Sequence, residues 1–294
     1  LQVSATSSFS TTEAQTRMIE RRTIATVIEI DGIGVHSAQP ARLRISPFSH
    51  GIRSRRMGCE VPADLSHLSD SSFSNTVSAG KVGVRTVEHL MAAFAVCGVS
   101  DALVEIDGGE VPILDGSAGH FCSALRRAGI CGSGRPALRL HVIKSVQVAD
   151  GQRTARLEPC RRLELDVLID FEQRGIGPQR YCCTPGNGSD FEDIIWARTF
   201  GFAADAGIMR ARGLALASSP DNTVIFDGGT PICGALRFPD EPARHKALDA
   251  LGDLALLGLP IVGRYVGHMS GHALNARLIR RLLSDSDNYR IEYC

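Results

Sequence analysis

The sequence predicts an α+β fold made of two domains of similar plan. Segments that alternate apolar and polar residues come before segments with apolar residues at helical spacing, and this order occurs in each half of the chain. The 294 residues include 44% hydrophobic residues, which is enough for a substantial core. The two halves share no close sequence repeat, so the expected similarity is one of pattern.

The first half opens with strand-like segments. Residues 23–37 alternate apolar and polar residues into a Gly-rich turn, and residues 41–47 alternate again, which predicts a β-hairpin. Residues 86–97 then carry apolar side chains at helical spacing after Thr86, a residue able to cap the first turn of a helix.

The first half ends with a strand, a helix and a break. A strand is expected at 101–108 and a helix at 117–130, the latter ending at Gly129. The sequence CGSGRP at 131–136 is a Gly/Pro/Ser cluster of the kind found between domains.

The second half repeats the same order of elements. Residues 138–159 and 163–171 are strand-like, and a D-G turn divides the first of these segments. Helices are expected at Asp190 to Ala197, at 247–258 and at 270–285.

These patterns divide the chain into three parts. Residues 1–22 are rich in Ser and Thr and carry several arginines, which is typical of a flexible tail or of the remnant of an organellar transit peptide. We expect the first α+β domain at 23–135 and the second at 136–294.

Charge and hydrophobicity restrict the possible partners. The 32 basic and 32 acidic residues cancel, so no overall field attracts nucleic acid or an anionic membrane. No apolar run approaches the roughly 20 residues of a transmembrane helix. We therefore expect a soluble protein with a small-molecule substrate and infer no obligate protein partner. A cytoplasmic enzyme of bacterial type is expected, or a mitochondrial matrix enzyme if residues 1–22 are a transit remnant.

Two clusters of polar residues are candidates for metal chemistry. His245, Asp249 and Asp253 stand at i, i+4 and i+8, on one stripe of a predicted helix. Imidazole and carboxylate are normal zinc ligands, although this spacing alone leaves a purely structural role open. Glu88 and His89 begin another predicted helix, where a His is by itself more often structural than a ligand.

Two further segments carry groups suited to catalysis. His268 and His272 flank a Gly-containing turn into the last helix, and Asp253 could be the carboxylate that favours a charge on a His at this helix start. Thr199 offers a hydroxyl between polar and apolar residues, which by itself indicates no function.

Together these clusters resemble the UDP-3-O-acyl-N-acetylglucosamine deacetylase family over residues 22–283. The resemblance implies two α+β domains whose helices lie between two outer sheets, and a zinc-dependent removal of an N-acetyl group in lipid A biosynthesis. The matching segments are GIGVHS (32–37), TVEHL (86–90), VPILDGSAGHF (111–121), ARTFGF (197–202), DNTVIFD (221–227), RHKALDALGDL (244–254) and SGHALNARL (270–278).

The resemblance also implies a role for each matching residue. One Zn²⁺ per chain would be held by His89, His245 and Asp249, with a fourth position open for water. The remaining residues would act on the substrate. The implied roles are Glu88 as general base, His272 steadied by Asp253 as acid or charge stabiliser, Thr199 as oxyanion stabiliser, and Lys246, one of three lysines, as a contact to the polar substrate.

The family places a βαβ insert in its second domain that forms a passage for the fatty acyl chain. This implies an insert near 200–222 in this chain. Core packing is an equally good account of any one of the candidate lining residues, which are Phe200, Phe202, Ala206, Ala215 and Ser218.

Two departures and two alternatives accompany the resemblance. Ala38 stands where a Gly is common, and Met269 stands where a basic residue is expected, so contact to the diphosphate would pass to His268 or Arg264. One alternative is a zinc amidase of the same mechanism that acts on another N-acyl amino sugar. The other is a non-catalytic carbohydrate or lipid binder, which would normally have lost Glu88 or a ligand.

Overall fold

The computed structural model describes residues 19–184, 190–232 and 234–294. The first half has the strands β1 (Glu20–Ile24), β2 (Ile28–Ile33), β3 (Pro40–Ser46), β4 (Ile52–Arg56), β5 (Cys59–Pro62), β6 (Leu68–Asp70), β7 (Thr76–Ala79), β8 (Val82–Arg85), β9 (Ala102–Ile106) and β10 (Ile130–Pro136). The second half has β11 (Leu138–Val142), β12 (Val146–Asp150), β13 (Arg153–Glu158), β14 (Glu164–Phe171), β15 (Ile176–Cys183), β16 (Phe200–Phe202), β17 (Val224–Asp227), β18 (Thr230–Pro231), β19 (Ile261–Val262), β20 (Arg264–His268) and β21 (Tyr289–Tyr293). The helices are α1 (Glu88–Cys97), α2 (Gly119–Ala128), α3 (Asp190–Ile195), α4 (Ala206–Ala211), α5 (Glu241–Ala255) and α6 (His272–Leu283).

Each half contains a five-stranded sheet, and the two sheets have the same topology. The strand orders are β2-β3-β9-β4-β5 and β12-β13-β20-β14-β15. Neighbouring strands are antiparallel except for one parallel pair in each sheet, β4 with β9 and β14 with β20. The hairpins β2-β3 and β12-β13 are the predicted ones. The two halves of the chain, which share only a pattern of elements in the sequence, therefore share the same strand order and direction in their sheets.

The helices lie between the two sheets. α1 contacts α5 at the centre, α2 contacts β2, and α6 contacts β12 and β13. Because α5 also contacts β14 and β15, the apolar faces of both sheets and of the helices enclose one continuous core. This arrangement confirms the predicted α+β class. In the described residues no helix is both long enough and apolar enough to cross a membrane.

Additional elements extend each half at corresponding places. β6, β7 and β8 form a small antiparallel sheet before α1. In the second half, β16 and β17 are parallel neighbours with α4 between them, and together they form a βαβ unit. Its second strand ends at Asp227, beyond the expected limit of 222. The division of the chain near residue 135 stays our proposal.

The segment expected to link the domains is a strand instead. Residues 131–136 belong to β10, which pairs antiparallel with β1. Local sequence could not reveal this pairing, because the partner strand lies at the other end of the first half. β1 also begins at Glu20, inside the expected tail, and Arg21 binds the buried Asp101 at 2.8 Å. Residues 1–18 of the expected tail lie outside the described residues.

Helix bounds also differ from the expectations. α5 begins at Glu241, six residues before the expected start at 247, with Pro242 in its first turn. Proline is well tolerated there because the first N–H groups of a helix have no partner within it. The earlier start places His245 inside the helix. α3 ends at Ile195, two residues before the expected end.

A glycine allows the two central helices to approach closely. A Cβ atom on Gly252 of α5 would overlap the carbonyl oxygen and carbonyl carbon of Glu88 on α1. These are backbone atoms, which cannot rotate away as the end of a side chain can. The separation of α1 and α5 therefore depends on the absence of a side chain at residue 252.

We predict that Gly252→Ala lowers the free energy of unfolding by about 1–3 kcal/mol, because the added methyl group forces α1 and α5 apart. Gly207→Ala is the matched control, since it also places a methyl group on a helical glycine but into open space. The control should leave stability unchanged or raise it by up to about 1 kcal/mol. Denaturant unfolding of both variants measures the difference, and equal stability would contradict the close-contact explanation.

Candidate active site

The first turn of α1 carries two buried polar residues, Glu88 and His89. The chain enters this helix through Thr86, which has a left-handed φ of 59°. The expected Thr86 cap does not form: its hydroxyl donates to Glu110 Oε1 (2.9 Å), and no side chain caps the helix. A capping side chain needs extended backbone at its own residue, which this φ excludes. The entry to the helix is held by Glu110 instead.

The second helix of the site is α5. Its residues His245, Asp249 and Asp253 are all buried, on the stripe that their spacing predicted. The Nδ1 atom of His245 lies 2.9 Å from the carbonyl oxygen of Ala197, a contact that fixes the ring by donation from Nδ1–H. Nε2 then faces Asp249, 3.3 Å from its Oδ1 atom.

The structure brings His89 from α1 to the same point. Its Nε2 atom lies 3.6 Å from Asp249 Oδ1, and its ring meets that of His245 edge to face at 5.0 Å between centroids. One ligand atom from each of the three residues falls within 4.8 Å of the others. The three residues that were expected as metal ligands are therefore adjacent and buried.

These residues fit a metal ion. Asp249 Oδ1 is buried and has no hydrogen-bond partner among the described residues, although two imidazole nitrogens surround it. A buried carboxylate oxygen without a donor is unfavourable unless a cation completes its environment. Two imidazoles and one carboxylate are a donor set suited to a divalent transition metal.

Protonation favours ligation as well. Burial lowers the pKa of His245 to about 4, against the opposing charge of Asp249, so its ring is neutral at pH 7. Burial acts to raise the pKa of Asp249, but His245 and Lys246 lower it well below its ordinary range. Lys246 Nζ donates to Asp249 Oδ2 at 2.8 Å. Lys246 therefore holds one oxygen of the carboxylate and leaves the other for a metal.

An acid–base pair lies next to the cluster. Glu88 Oε1 is 3.8 Å from Nε2 of His272, the first residue of α6. Burial raises the pKa of Glu88, and the charges of His272 and His89 oppose this. Burial opposes a charge on His272, but the carboxylates of Asp253 and Glu88 raise its pKa to about 10. Near neutral pH His272 is therefore protonated.

Asp253 orients His272 and is itself fixed on several sides. Its Oδ1 atom lies 2.7 Å from His272 Nδ1 and accepts a hydrogen bond from Asn75 Nδ2 at 2.5 Å. Asn275 donates to Oδ2 at 2.7 Å and accepts from the hydroxyl of Tyr265. Because both oxygens of Asp253 are engaged by these contacts, the imidazole of His272 is held in one orientation.

Asn75 is a site residue that the sequence did not reveal. Its backbone N–H donates to Glu88 Oε2 at 2.9 Å, while its side chain donates to Asp253. One residue from the loop before β7 therefore positions both the carboxylate facing His272 and the carboxylate that orients His272. No local sequence signal distinguishes this Asn from a loop residue.

Thr199 is tied to both halves of the molecule through its backbone. Its N–H donates to the carbonyl of Gly116 (2.8 Å), and its own carbonyl accepts from Val224 of β17. Gly116 has a φ of 83°, and a Cβ atom there would overlap the backbone of Asn222. Thr199 thus lies between Ala197, which contacts His245, and the start of β16.

The candidate lining residues fall into different surroundings. Phe200 and Phe202 belong to a ring cluster with Phe171 and Phe226. The Phe200 ring also meets His245 at 6.4 Å between centroids and lies 5.9 Å from Lys246 Nζ. Three smaller candidates lie elsewhere on the insert: Ala206 is exposed on α4, and Ala215 and Ser218 are half-buried after it.

His36 is a second site residue without an assigned role in the sequence, although it belongs to the segment GIGVHS. It is buried, and its Nδ1 atom accepts a hydrogen bond from the backbone N–H of Ala215 at 3.2 Å. Burial lowers the pKa of His36, and the charge on His272 contributes to this shift. His36 therefore links the insert to the first half close to His272.

The departures from the family pattern have visible backbone consequences. Ala38 and Met269 both have left-handed φ values, 54° and 50°. This conformation is unfavourable for a residue with a Cβ atom, and Gly adopts it most easily. Arg264, expected as a possible diphosphate contact, donates to Asp166 at 2.6 Å. His268 is half-buried on β20.

Comparisons with known proteins give a consistent result. Residues 21–284 match the family model described as UDP-3-O-acyl N-acetylglycosamine deacetylase (LpxC). A UDP-3-O-acyl-N-acetylglucosamine deacetylase of Myxococcus xanthus (strain DK1622) is 38% identical over 278 residues, covering 92% of this chain and 88% of that protein. A protein of the same name from Anaeromyxobacter dehalogenans (strain 2CP-C) is 39% identical over 276 residues, covering 92% and 90%. Both relatives are bacterial, which gives no support to the mitochondrial alternative.

We predict that the purified protein carries one metal ion per chain and that His89→Ala and His245→Ala each lose most of it. Loss of a ligand should weaken binding by more than about 100-fold, the upper range for residues that only support a ligand. Elemental analysis after gel filtration measures the metal content. His120→Ala is the control, because this exposed histidine lies outside the cluster. Full metal content in both ligand variants would exclude this site.

Proposed function

Because the chain belongs to the UDP-3-O-acyl-N-acetylglucosamine deacetylase family, we propose that it removes the N-acetyl group of that acylated UDP-amino sugar and releases acetate, as a step of lipid A biosynthesis. The observation that carries this proposal is the buried cluster of His89, His245 and Asp249 beside the pair Glu88 and His272. Amide hydrolysis needs an activated water, a base and an acid, and this arrangement offers groups for each.

Zn²⁺, one per chain, is the proposed metal. His89, His245 and Asp249 would hold the ion, and two imidazoles with one carboxylate are a ligand set found in catalytic zinc sites. When bound, zinc polarises a carbonyl oxygen and lowers the pKa of water to about 7. Lys246 supports this site by holding Asp249 Oδ2, so that Oδ1 stays directed at the two imidazoles.

Glu88 is the proposed general base. Its Oε2 atom is occupied by the N–H of Asn75, whereas Oε1 faces Nε2 of His272. Oε1 is therefore the atom that takes a proton from the attacking water. The raised pKa of Glu88 improves this function, because a base is most effective when its pKa lies nearer the working pH.

His272 is the proposed acid. Its Nδ1 atom is held by Asp253, which leaves the proton on Nε2 directed towards Glu88 and the cluster. This proton can pass to the leaving amine, or the imidazolium can stabilise the negative charge of the tetrahedral intermediate. Thr199, beside the contact of Ala197 with His245, is the proposed hydroxyl donor to that charge.

The acyl chain is proposed to lie along the β16-α4-β17 insert. The Phe200 ring lies against His245 on one side and against the ring of Phe202 on the other. It therefore connects the candidate metal ligands to the apolar rings of the insert. Ile208 and Leu216 on the same segment expose 58% and 47% of their surface, which is apolar area available to an acyl chain. Polar contacts of the sugar and diphosphate are proposed for Lys246 and His268.

We predict that Glu88→Gln lowers acetate release by about 100- to 10,000-fold while the metal is retained. In the unmodified protein, the rate should rise as pH increases through the raised pKa of Glu88, because the base must be deprotonated. The rate should fall above about pH 10, because His272 must be protonated. His272→Gln should remove this decline at high pH.

The measurement is acetate release from the UDP-sugar across pH, with the metal content of each sample determined. Glu29→Gln, at an exposed glutamate of β2, controls for the loss of one carboxylate. If Glu88→Gln left the rate and the pH profile unchanged, Glu88 would be excluded as the general base. No acetate release by the unmodified, metal-loaded protein would exclude the deacetylase function itself.

We further predict that shortening the acyl group by four carbons weakens recognition by up to roughly 3 kcal/mol, or about 100-fold, since each buried methylene contributes about 0.8 kcal/mol. Part of the loss can appear in kcat, because remote binding energy also positions the reacting group. Ala215→Asp should mimic the shortened chain; Asp tolerates the left-handed backbone present there. Equal kcat/KM for long and short chains would favour an amidase with another substrate.

A further inference from the structure

A cavity lies beside the C-terminal parts of α1 and α5, the helices that carry His89, His245 and Asp249. It has a volume of about 600 Å³ and is bounded by the C-terminal halves of α1 and α5 and by β4, β5 and β19. None of the described residues that we assign to the active site or to the insert lines it. It is therefore a separate feature of the molecule.

The interior of this cavity is apolar. Side chains from both central helices, among them Met91, Phe94 and Leu254, form one wall, and Leu163, Phe191 and Ile261 contribute from the second half. The cavity is partly open to solvent, so a ligand that covers its apolar surface would be favoured by the removal of that surface from water. The volume lies in the range of about 300–1,000 Å³ that is typical of sites for one small ligand.

The lining also includes a basic group of residues. Arg21 is paired with Asp101. Arg53 is less firmly paired, because it lies 3.7 Å from Glu60 and this carboxylate binds Arg55 more closely, at 2.7 Å. Arg135 is exposed and donates to the carbonyl oxygen of Ser49 at 2.7 Å. Within the described residues, no carboxylate lies within ion-pair distance of Arg135.

Only one acidic residue lines the cavity in the described part of the chain, and it is already engaged. Asp64 accepts a hydrogen bond from the hydroxyl of Ser66 and lies 2.8 Å from His67 Nδ1. His50 adds an imidazole ring to the lining. The charges around the cavity therefore favour an anion.

We propose that this cavity binds a medium-chain fatty acid anion such as laurate. The single acyl chain occupies the apolar interior, and the carboxylate meets Arg135 and Arg53. A guanidinium group binds a carboxylate through two parallel hydrogen bonds, and Arg135 has no described carboxylate that would have to be displaced. This site is additional to the proposed deacetylase function and does not depend on it.

Residues 1–18 are a poor alternative occupant on composition. Among them only Leu1, Val3, Phe9 and Met18 are large apolar residues, and they are separated by Ser, Thr and charged residues. An apolar cavity would have to accept several hydroxyl groups together with those side chains, and burying unpaired polar groups is unfavourable.

Equilibrium dialysis of the full chain with radiolabelled laurate, below the concentration at which it forms micelles, tests the proposal. Ala255→Phe fills the cavity from α5 and should weaken binding at least tenfold. Arg135→Glu should weaken it about tenfold by repelling the carboxylate. Arg153→Glu, at an exposed arginine of the β12-β13 hairpin, is the matched control and should stay within twofold. Thermal unfolding establishes that each variant is folded.

Two further measurements identify the site and the recognised group. Ala215→Asp alters the insert and should leave the affinity for laurate unchanged, whereas Ala255→Phe should lower it. Lauryl alcohol, which has the same chain without the charge, should bind the unmodified protein about tenfold more weakly and should be insensitive to Arg135→Glu. Caprate, two carbons shorter than laurate, should bind up to about tenfold more weakly.

Several outcomes would overturn the assignment. Laurate binding that Ala215→Asp abolishes and Ala255→Phe leaves intact would place the fatty acid in the insert. Binding only to vesicles that contain anionic phospholipid would show a membrane surface as the partner. Absence of laurate binding, with hydrogen-exchange protection of residues 1–18 that Ala255→Phe removes, would assign the cavity to the chain itself.

Discussion

The contact between α1 and α5 fixes the geometry on which the rest of the structure depends. Gly252 of α5 lies so close to the backbone carbonyl of Glu88 on α1 that no side chain fits between them. Each helix packs through its remaining faces on other elements, so their separation also sets the distance between the two halves. α1 carries His89, and α5 carries His245 and Asp249. This single backbone contact therefore brings the three candidate ligands of one metal ion within reach of each other.

Close packing at this point has an electrostatic consequence. The carboxylates of Glu88, Asp249 and Asp253 are withdrawn from water together, which would be strongly unfavourable without compensation. Lys246 and protonated His272 supply two positive charges, and Asn75 supplies neutral donors to two of the carboxylates. Asp249 Oδ1 is left without a donor among the described residues, so a metal ion bound there would complete the compensation and would couple metal binding to the stability of the helix pair.

The insert of the second half reaches the metal cluster because the first half holds it. His36 accepts from Ala215, and the carbonyl of Gly116 accepts from Thr199, so two turns of the first half contact both parts of the insert. Phe200 then lies between the metal cluster and the other rings. The fatty acid cavity beside the C-terminal parts of α1 and α5 has no such insert, and its walls come from the strands and helices of the main fold.

The sequence by itself determined the fold class and the polar stripe of α5, because the period of 2 or 3.6 residues records which face of an element is buried. The βαβ insert was expected only from the resemblance to a family. The sequence also identified His89 and Glu88 as candidates through the resemblance of the segment TVEHL to a family pattern. Only the tertiary structure decided that residues 131–136 form a strand with β1, that Asn75 joins Glu88 to Asp253, and that Gly252 must lack a side chain. These features depend on contacts between segments far apart in the chain, and the residues of one segment carry no local record of the partner that packing supplies.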